Sequence, residues 1–478
     1  MEITEQGVDG FVQPTECVDE FKHKYRLLKE IARGGQGAVY RTHAPRLVIK
    51  LELSDHRFVQ ASKAARDKYL SLRLLPIPKD LPITLPLAVL EKYSGYVMRL
   101  MDDMISFRDA FNCNGDDAPI ENEWLENIAT QNQNIAIICC NLIKHGGMRR
   151  FWQAYMKTAC LLARLHEVGL VYCDFSANNV FISDSQEFCN VWLIDADNLD
   201  FEENTCQHRV WTPGIGAPEI IDEYVAKGCT FYSDCYAFAA TLFQQLTHHH
   251  PFEGELFDEQ VEELDDIVQV EYLRDCGEYP WVFDTTDDSN IWSGDGDFYQ
   301  NLIPPRLMAL LNETFSAEEG LFHKQRRPSM AEWAYSLARS LDETVRCPKC
   351  QMERYGKKTV CPWCDHEHPL LTITSYSQNG EIWWQLAHEI ELGQNISIPL
   401  RLVNGFKVRE IDEVAFTMQW TANGIYIHKT KESLSIEFAD RKMGRVAASG
   451  FETTEDTLYI YCLGNGNTAK RIEVRLIK

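Results

Sequence analysis

The sequence predicts an α+β chain in which strand-rich and helix-rich parts follow one another instead of alternating. Three observations carry this. Residues 25–102 are short apolar runs with one helical stretch, residues 103–344 hold long amphipathic helices, and residues 368–478 alternate apolar and polar positions between turn signals. A compact cysteine-bearing segment, 345–367, separates the last two. Residues 1–24 form an N-terminal extension.

In the first part "YRLLKEIA", "AVYRTH", "RLVIKLEL", "ITLPLAVLE" and "YSGYVMRLM" read as strands and "DHRFVQASKAARDKYLSLRLL" as the helix. In the second, "MRRFWQAYMKTACLLARLHEVG", "SDCYAFAATLFQQLT" and "SMAEWAYSLARSLDE" repeat apolar residues three and four apart, so each has a stripe to bury. Polar, acidic stretches near 105–145 and 253–300 read as insertions or extended loops. In the last part Asn-Gly at 379, 404 and 423, and "GNGN" from Gly464, mark the turns of an all-β, sandwich-like unit.

With 478 residues the chain has room for two to four domains, and 45% apolar with 11% aromatic residues is an ordered, core-forming composition. The 71 acids against 47 bases give a net charge of −24, which argues against a nucleic-acid or anionic-membrane binder. The start has no basic stretch followed by an apolar one. The longest apolar run, "IAIICCNLI", is far short of the roughly 20 residues that cross a bilayer. Sixteen cysteines without an export signal read as reduced thiols and metal ligands. The expectation is a cytoplasmic protein.

The first chemical signal is "IARGGQGAVY" followed by "LVIK". A glycine-rich turn between two strands lets backbone N–H groups lie over a triphosphate, and a lysine on the next strand reaches the α and β phosphates. Gly34 and Gly37 supply two glycines of that pattern and Ala32 stands at the first position. Val39 would sit over the adenine, Val48 on the next strand is a further candidate nucleotide contact, and Lys50 is the phosphate-binding lysine. The second signal is "VYCDFSANNVFI", with Asp174 five positions before Asn179, and the third is "LIDADNLD", where Asp195 ends an apolar strand. One carboxylate to take a hydroxyl proton, Asp174, and two oxygen donors for Mg²⁺, Asn179 and Asp195, are what phosphoryl transfer needs. A bare glycine turn or a strand-end aspartate is more often structural. The ordered set is not.

These residues resemble the protein kinase superfamily over residues 25–342. The resemblance implies a two-lobed protein-kinase fold, with a small lobe at 25–102 and a large lobe at 103–344. In "WTPGIGAPEI" it makes Thr212 and Ala217-Pro218-Glu219 the end of a substrate-binding segment, in "SDCYAFAATLFQQLTHHHPF" it starts a core helix at Asp234, and in "KQRRPSMAEW" it pairs Arg327 with Glu219. It places Met98 as gatekeeper, Arg99 to Met101 as the adenine-contacting hinge and Phe181 as the pocket floor. What it implies is a Ser/Thr kinase using ATP with Mg²⁺ or Mn²⁺ on a protein substrate or on itself.

Departures from the pattern are specific. Tyr172 and Cys173 stand where His-Arg is usual, which removes the docking site for an activation-loop phosphate, and Ser176 replaces a lysine that would face the transferring phosphoryl group. "DAD" replaces Asp-Phe-Gly, so Asp197 either adds a metal-binding carboxylate or faces solvent. The nearest acid to pair with Lys50 from the small-lobe helix is Asp67. The Asp-x-Asp variant, the "YPWVFDTTDDSN" insertion and the cysteine segment resemble a divergent bacterial branch of eukaryotic-like kinases, which implies a metal-dependent protein phosphatase and a von Willebrand A domain protein as partners. Two rival readings stay open, an ATP-binding pseudokinase scaffold and an enzyme that transfers a nucleotidyl group.

Cys347-x-x-Cys350 and Cys361-x-x-Cys364 are two matched knuckles, each with a proline after its first cysteine. They predict a zinc ribbon with four thiolates on Zn²⁺, closed and therefore structural. The run His248 to His250 before Pro251 reads as a solvated turn, and Trp383-Trp384 as a strand pair with one ring inside.

Overall fold

Period-two alternation in Leu47–Ser54 sets the geometry of the first sheet: Ile49, Leu51 and Leu53 are buried on one face, and Val48, Lys50 and Glu52 lie on the other. The computed structural model describes residues 14–35, 37–111, 123–264, 266–292, 296–390, 393–421, 424–440, 444–446, 450–451, 457–463 and 469–478. The first sheet runs in the order Glu16–Val18, Lys24–Arg33, Gly37–Thr42, Leu47–Ser54, Gly95–Arg99, Ala88–Val89, with Arg57–Phe58 paired to Leu47–Ser54. Its Ile49 face closes over Tyr25, Leu27, Ala38, Tyr40 and Val97 as a core of its own. The helix Lys63–Leu72, capped by the Ser62 hydroxyl accepting from Ala65 N–H, packs Tyr69 against Tyr96 with ring centres 5.0 Å apart.

Helices build the middle of the chain. Gly147–Glu167 buries Phe151, Trp152, Tyr155, Leu162 and Leu165, and packs against Met330–Asp342, whose first turn is locked by a capping box between Ser329 and Glu332. Phe231–Thr247 is buried nearly all round, as its almost continuous apolar sequence requires. A three-stranded sheet, Val191–Leu193, Val180–Ser183, Met104–Ser106, lies beside them, with the short pair Leu170–Val171 and Asp200–Phe201. Within the stretch read as the first insertion, Glu123–Gln131 and Gln133–Lys144 are helices with buried apolar faces, and 112–122 lies outside the described residues.

Beyond the hairpin Thr344–Arg346 and Glu353–Tyr355, two sheets follow. One has six strands in the order Ile382–Glu389, Leu370–Tyr376, Ala469–Ile477, Thr457–Leu463, Ser435–Asp440, Gly444–Val446, and the other has four, Asn395–Pro399, Val414–Thr421, Gly424–Thr430, Gly450–Phe451. Asn379-Gly380 turns the hairpin between Leu370–Tyr376 and Ile382–Glu389, with Gly380 at φ 82°. Asn404-Gly405 instead ends the helical turn Arg401–Asn404, where Gly405 at φ 82° is a C-cap. Asn423 and 464–468 lie outside the described residues. Trp384 is buried and Trp383 is 39% exposed, as alternation requires. The chain is α+β, and one apolar core runs without interruption from Tyr69 through the helices to Val474.

Candidate active site

The site starts at the glycine turn. Gly34 N–H donates to the Gly37 carbonyl at 2.8 Å and closes the turn between Lys24–Arg33 and Gly37–Thr42. A Cβ on Gly37 would sit 3.1 Å from both the Leu51 carbonyl oxygen and Lys50 Cε, so glycine is what lets the turn lie on the lysine. Lys50 pairs across the strands with Val39 and Tyr96, and Val48 with Met98. Its side chain is mostly buried, and its ammonium donates to Asp195 and, at 2.7 Å, to Asp197. Burial disfavours the ammonium charge, but the two carboxylates outweigh it and raise the Lys50 pKa.

Asp174 is presented by a strained loop. Cys173 sits at φ 73°, a left-handed conformation costing about 1–3 kcal/mol outside glycine. Asp234, 1% exposed at the start of Phe231–Thr247, holds that turn by accepting from Tyr172 N–H at 2.7 Å and Cys173 N–H at 2.9 Å, with His166 Nε2 at 3.0 Å. Tyr172 is itself buried and donates its hydroxyl to the Ile194 carbonyl, tying the loop to the strand end that carries Asp195. Asp174 accepts from the Thr212 hydroxyl at 2.9 Å. Asn179 Nδ2 donates to the Asp174 carbonyl at 2.8 Å, which commits its amide nitrogen and leaves Oδ1 as an oxygen donor.

The hairpin of Val180–Ser183 and Val191–Leu193, in register at Val180 and Leu193, brings Asn179 and Asp195 to the same end of one sheet. Asp195 is in the left-handed region at φ 56°. Burial pushes the Asp195 pKa up against the pull of Lys50, and the Asp197 carboxylate adds to the rise. Asp197 turns inward: its side chain, 13% exposed, lies between Lys50 and the Tyr96 hydroxyl, which donates to it at 2.6 Å. Asp67 is exposed and takes no part.

Elsewhere, Glu219 and Arg327 form a two-pronged pair at 2.9 and 2.8 Å, with the arginine side chain fully buried. Burial alone would raise the Glu219 pKa, but Arg327 lowers it. Phe181 pairs with Trp192 and Ser106. Met98 is half-buried and Arg99 exposed, while Ala32 pairs with Val39 at the foot of the glycine turn. Met101 lines a cavity of about 910 Å³ that includes none of Lys50, Asp174, Asn179 and Asp195.

Two residues were not visible as site residues in the sequence. Tyr96 had no signal beyond its place in an apolar strand. His250, in the run read as a solvated turn, is 7% exposed: its Nε2 contacts the Gly214 carbonyl at 2.8 Å, and its Nδ1 accepts from Phe252 N–H at 3.2 Å. That pairing fixes a neutral ring with its proton on Nε2.

The sulfurs of Cys347, Cys350, Cys361 and Cys364 lie within 4.8 Å of one another. Each knuckle turns through a left-handed residue after its second cysteine, Gln351 at φ 63° and Asp365 at φ 55°, whose N–H groups donate to the Cys347 and Cys361 carbonyls at 3.0 Å. Four converging thiols fit a closed, four-thiolate metal site.

No family model matches the chain. It is 36% identical over 91 residues to the probable serine/threonine-protein kinase zyg-1 of Caenorhabditis elegans, covering 18% of this chain and 12% of that protein. It is 30% identical over 103 residues to the serine/threonine-protein kinase chk-2 of the same organism, covering 21% of each. The chain therefore spans between about an eighth and a fifth of these relatives, and what the matches give is a partial, kinase-like relationship.

Proposed function

We propose that the chain is a two-lobed, ATP- and Mg²⁺-dependent protein kinase that phosphorylates Ser or Thr of a protein substrate or of itself, followed by a zinc ribbon and a β-rich accessory unit. The observation that carries the reading is the convergence of Lys50 with Asp195 and Asp197, more than 140 residues away, beside the Asp174 and Asn179 loop. The kinase names of the two partial relatives support it.

In this reading Lys50 holds the α and β phosphates, and Asn179 Oδ1 and the Asp195 carboxylate hold Mg²⁺, an all-oxygen donor set suited to that ion. Bound Mg²⁺ supplies neutralisation of the charge on the phosphate oxygens. Asp174, which follows the turn that Asp234 clamps, receives the proton of the acceptor hydroxyl as that oxygen bonds to the γ-phosphorus and ADP leaves. Thr212 orients the Asp174 carboxylate. Asp197, fixed by Tyr96, holds Lys50 in place, while Asp67, the acid of the helix Lys63–Leu72, is exposed.

A second reading, a nucleotide-binding scaffold, is favoured by one observation, the serine at 176 where a cation would face the transferred group. Intact-mass measurement after incubation with Mg·ATP and a generic acceptor separates the readings. A kinase gains roughly 80 Da per phosphate, and Asp174→Ala and Asp195→Ala abolish the gain. Nucleotide binding without mass gain supports the scaffold, and a gain of AMP with release of pyrophosphate supports nucleotidyl transfer.

A further inference from the structure

A cavity of about 550 Å³ opens beside Asp174, between the Ser176 loop, the Thr212–Ile215 turn and the end of the helix Phe231–Thr247. Thr212, which holds the Asp174 carboxylate, is part of its wall. A peptide whose hydroxyl reaches Asp174 therefore places a neighbouring side chain here.

The wall is held rigidly. Gly214 is fixed on both sides of its Cα, its carbonyl accepting from Gln244 at 2.8 Å and contacted by His250 at 2.8 Å, its N–H donating to Asp275 at 3.2 Å. Among the described residues of the wall the one carboxylate, Glu253, is spent on Arg274, which Asp275 behind the wall also pairs at 2.8 Å, so the cation left over is Arg108. Arg108, on the helix Phe107–Phe111, has no side-chain partner among the described residues. A cationic side chain would meet Arg108, and the carboxylate of the wall itself, Glu253, is already paired.

Resting on the kinase reading, we infer that this cavity selects substrates with an anionic residue, a carboxylate or a phosphate, close to the acceptor Ser or Thr, with the exposed Arg108 as its specificity-determining residue. The test is a set of peptides with one acceptor serine and Ala, Asp, phosphoserine or Lys scanned through the flanking positions. Phosphate transfer and fluorescence-anisotropy binding are both read. For the wild type, Asp or phosphoserine at one or two positions is expected to improve kcat/KM roughly threefold to tenfold over Ala, mainly through KM, the scale of one charge-assisted contact. Arg108→Glu is expected to remove or invert that ratio, and Arg108→Lys to keep it. Phosphoserine well above Asp identifies a phosphate-primed substrate, and equality identifies an acidic one. Transfer without any anionic preference, or with preference for Lys, overturns the inference and leaves the kinase reading standing. No transfer to any peptide or to the chain itself overturns both.

Discussion

At the scale of single residues, the site depends on one ammonium facing two carboxylates. Asp197 and Tyr96 hold Lys50 from the side that Asp195 does not, so Asp197→Ala should lower phosphate transfer roughly tenfold or more, with a smaller loss for Tyr96→Phe. Initial rates at saturating Mg·ATP check this, and an unimpaired Asp197→Ala would make the residue a bystander. His250 gives a pH dependence. Burial, with Arg274 beside it, holds its pKa well below the ordinary 6.5, so the folded chain keeps it neutral while the unfolded chain takes a proton. Its contribution is thus complete above about pH 6.5 and shrinks as pH falls below that, by up to about 1.4 kcal/mol per unit. Urea unfolding across about pH 5 to 7.5 should show a shallower slope in His250→Gln. Lys50, Asp174, Asn179 and Asp195 stand out in the sequence because their types and order match a phosphoryl-transfer pattern, and the fold brings Lys50 to Asp195 and Asn179 to Asp174. Tyr96 and His250 do not, because each acts on a residue distant in sequence that only the folded chain brings near.

At the scale of elements, the helices and most strands follow from periodicity, but how the C-terminal sheets seat on the helices does not. Asp342, at the end of Met330–Asp342, is 7% exposed and accepts from both prongs of Arg401, at 2.7 and 2.5 Å, and from Trp384 Nε1 at 2.7 Å. Arg149 makes a matching two-pronged pair with Glu389 at 2.7 Å. Neither arginine stands out in the sequence, since a lone arginine in an amphipathic stretch reads as surface. Removing one partner strands a buried charge, so Asp342→Ala should cost about 3 kcal/mol or more in urea unfolding. The double variant Asp342→Leu with Arg401→Met should recover much of that. If the single variant proves neutral, the pair is only a surface contact.

At the scale of the molecule, the uninterrupted core means that the cysteine knuckles and the sheets behind them share apolar contacts with the helices. Trp363, inside the second knuckle, has its ring 6.4 Å from Trp124 of the helix Glu123–Gln131, and its indole N–H donates to the Glu353 carbonyl at 3.2 Å. A metal holding the knuckles therefore also holds a seam of this core. A short segment with so little apolar surface of its own depends on the metal to stay folded. Metal analysis should find one Zn²⁺ per chain. Chelation, or Cys361→Ser, should shift the entire thermal transition downward, with near-ultraviolet circular dichroism and the loss of helix moving together. A separate low-temperature transition confined to the tryptophan signal, with the helices melting where they did before, would mean that the knuckles are an appendage whose folding the rest of the chain does not feel.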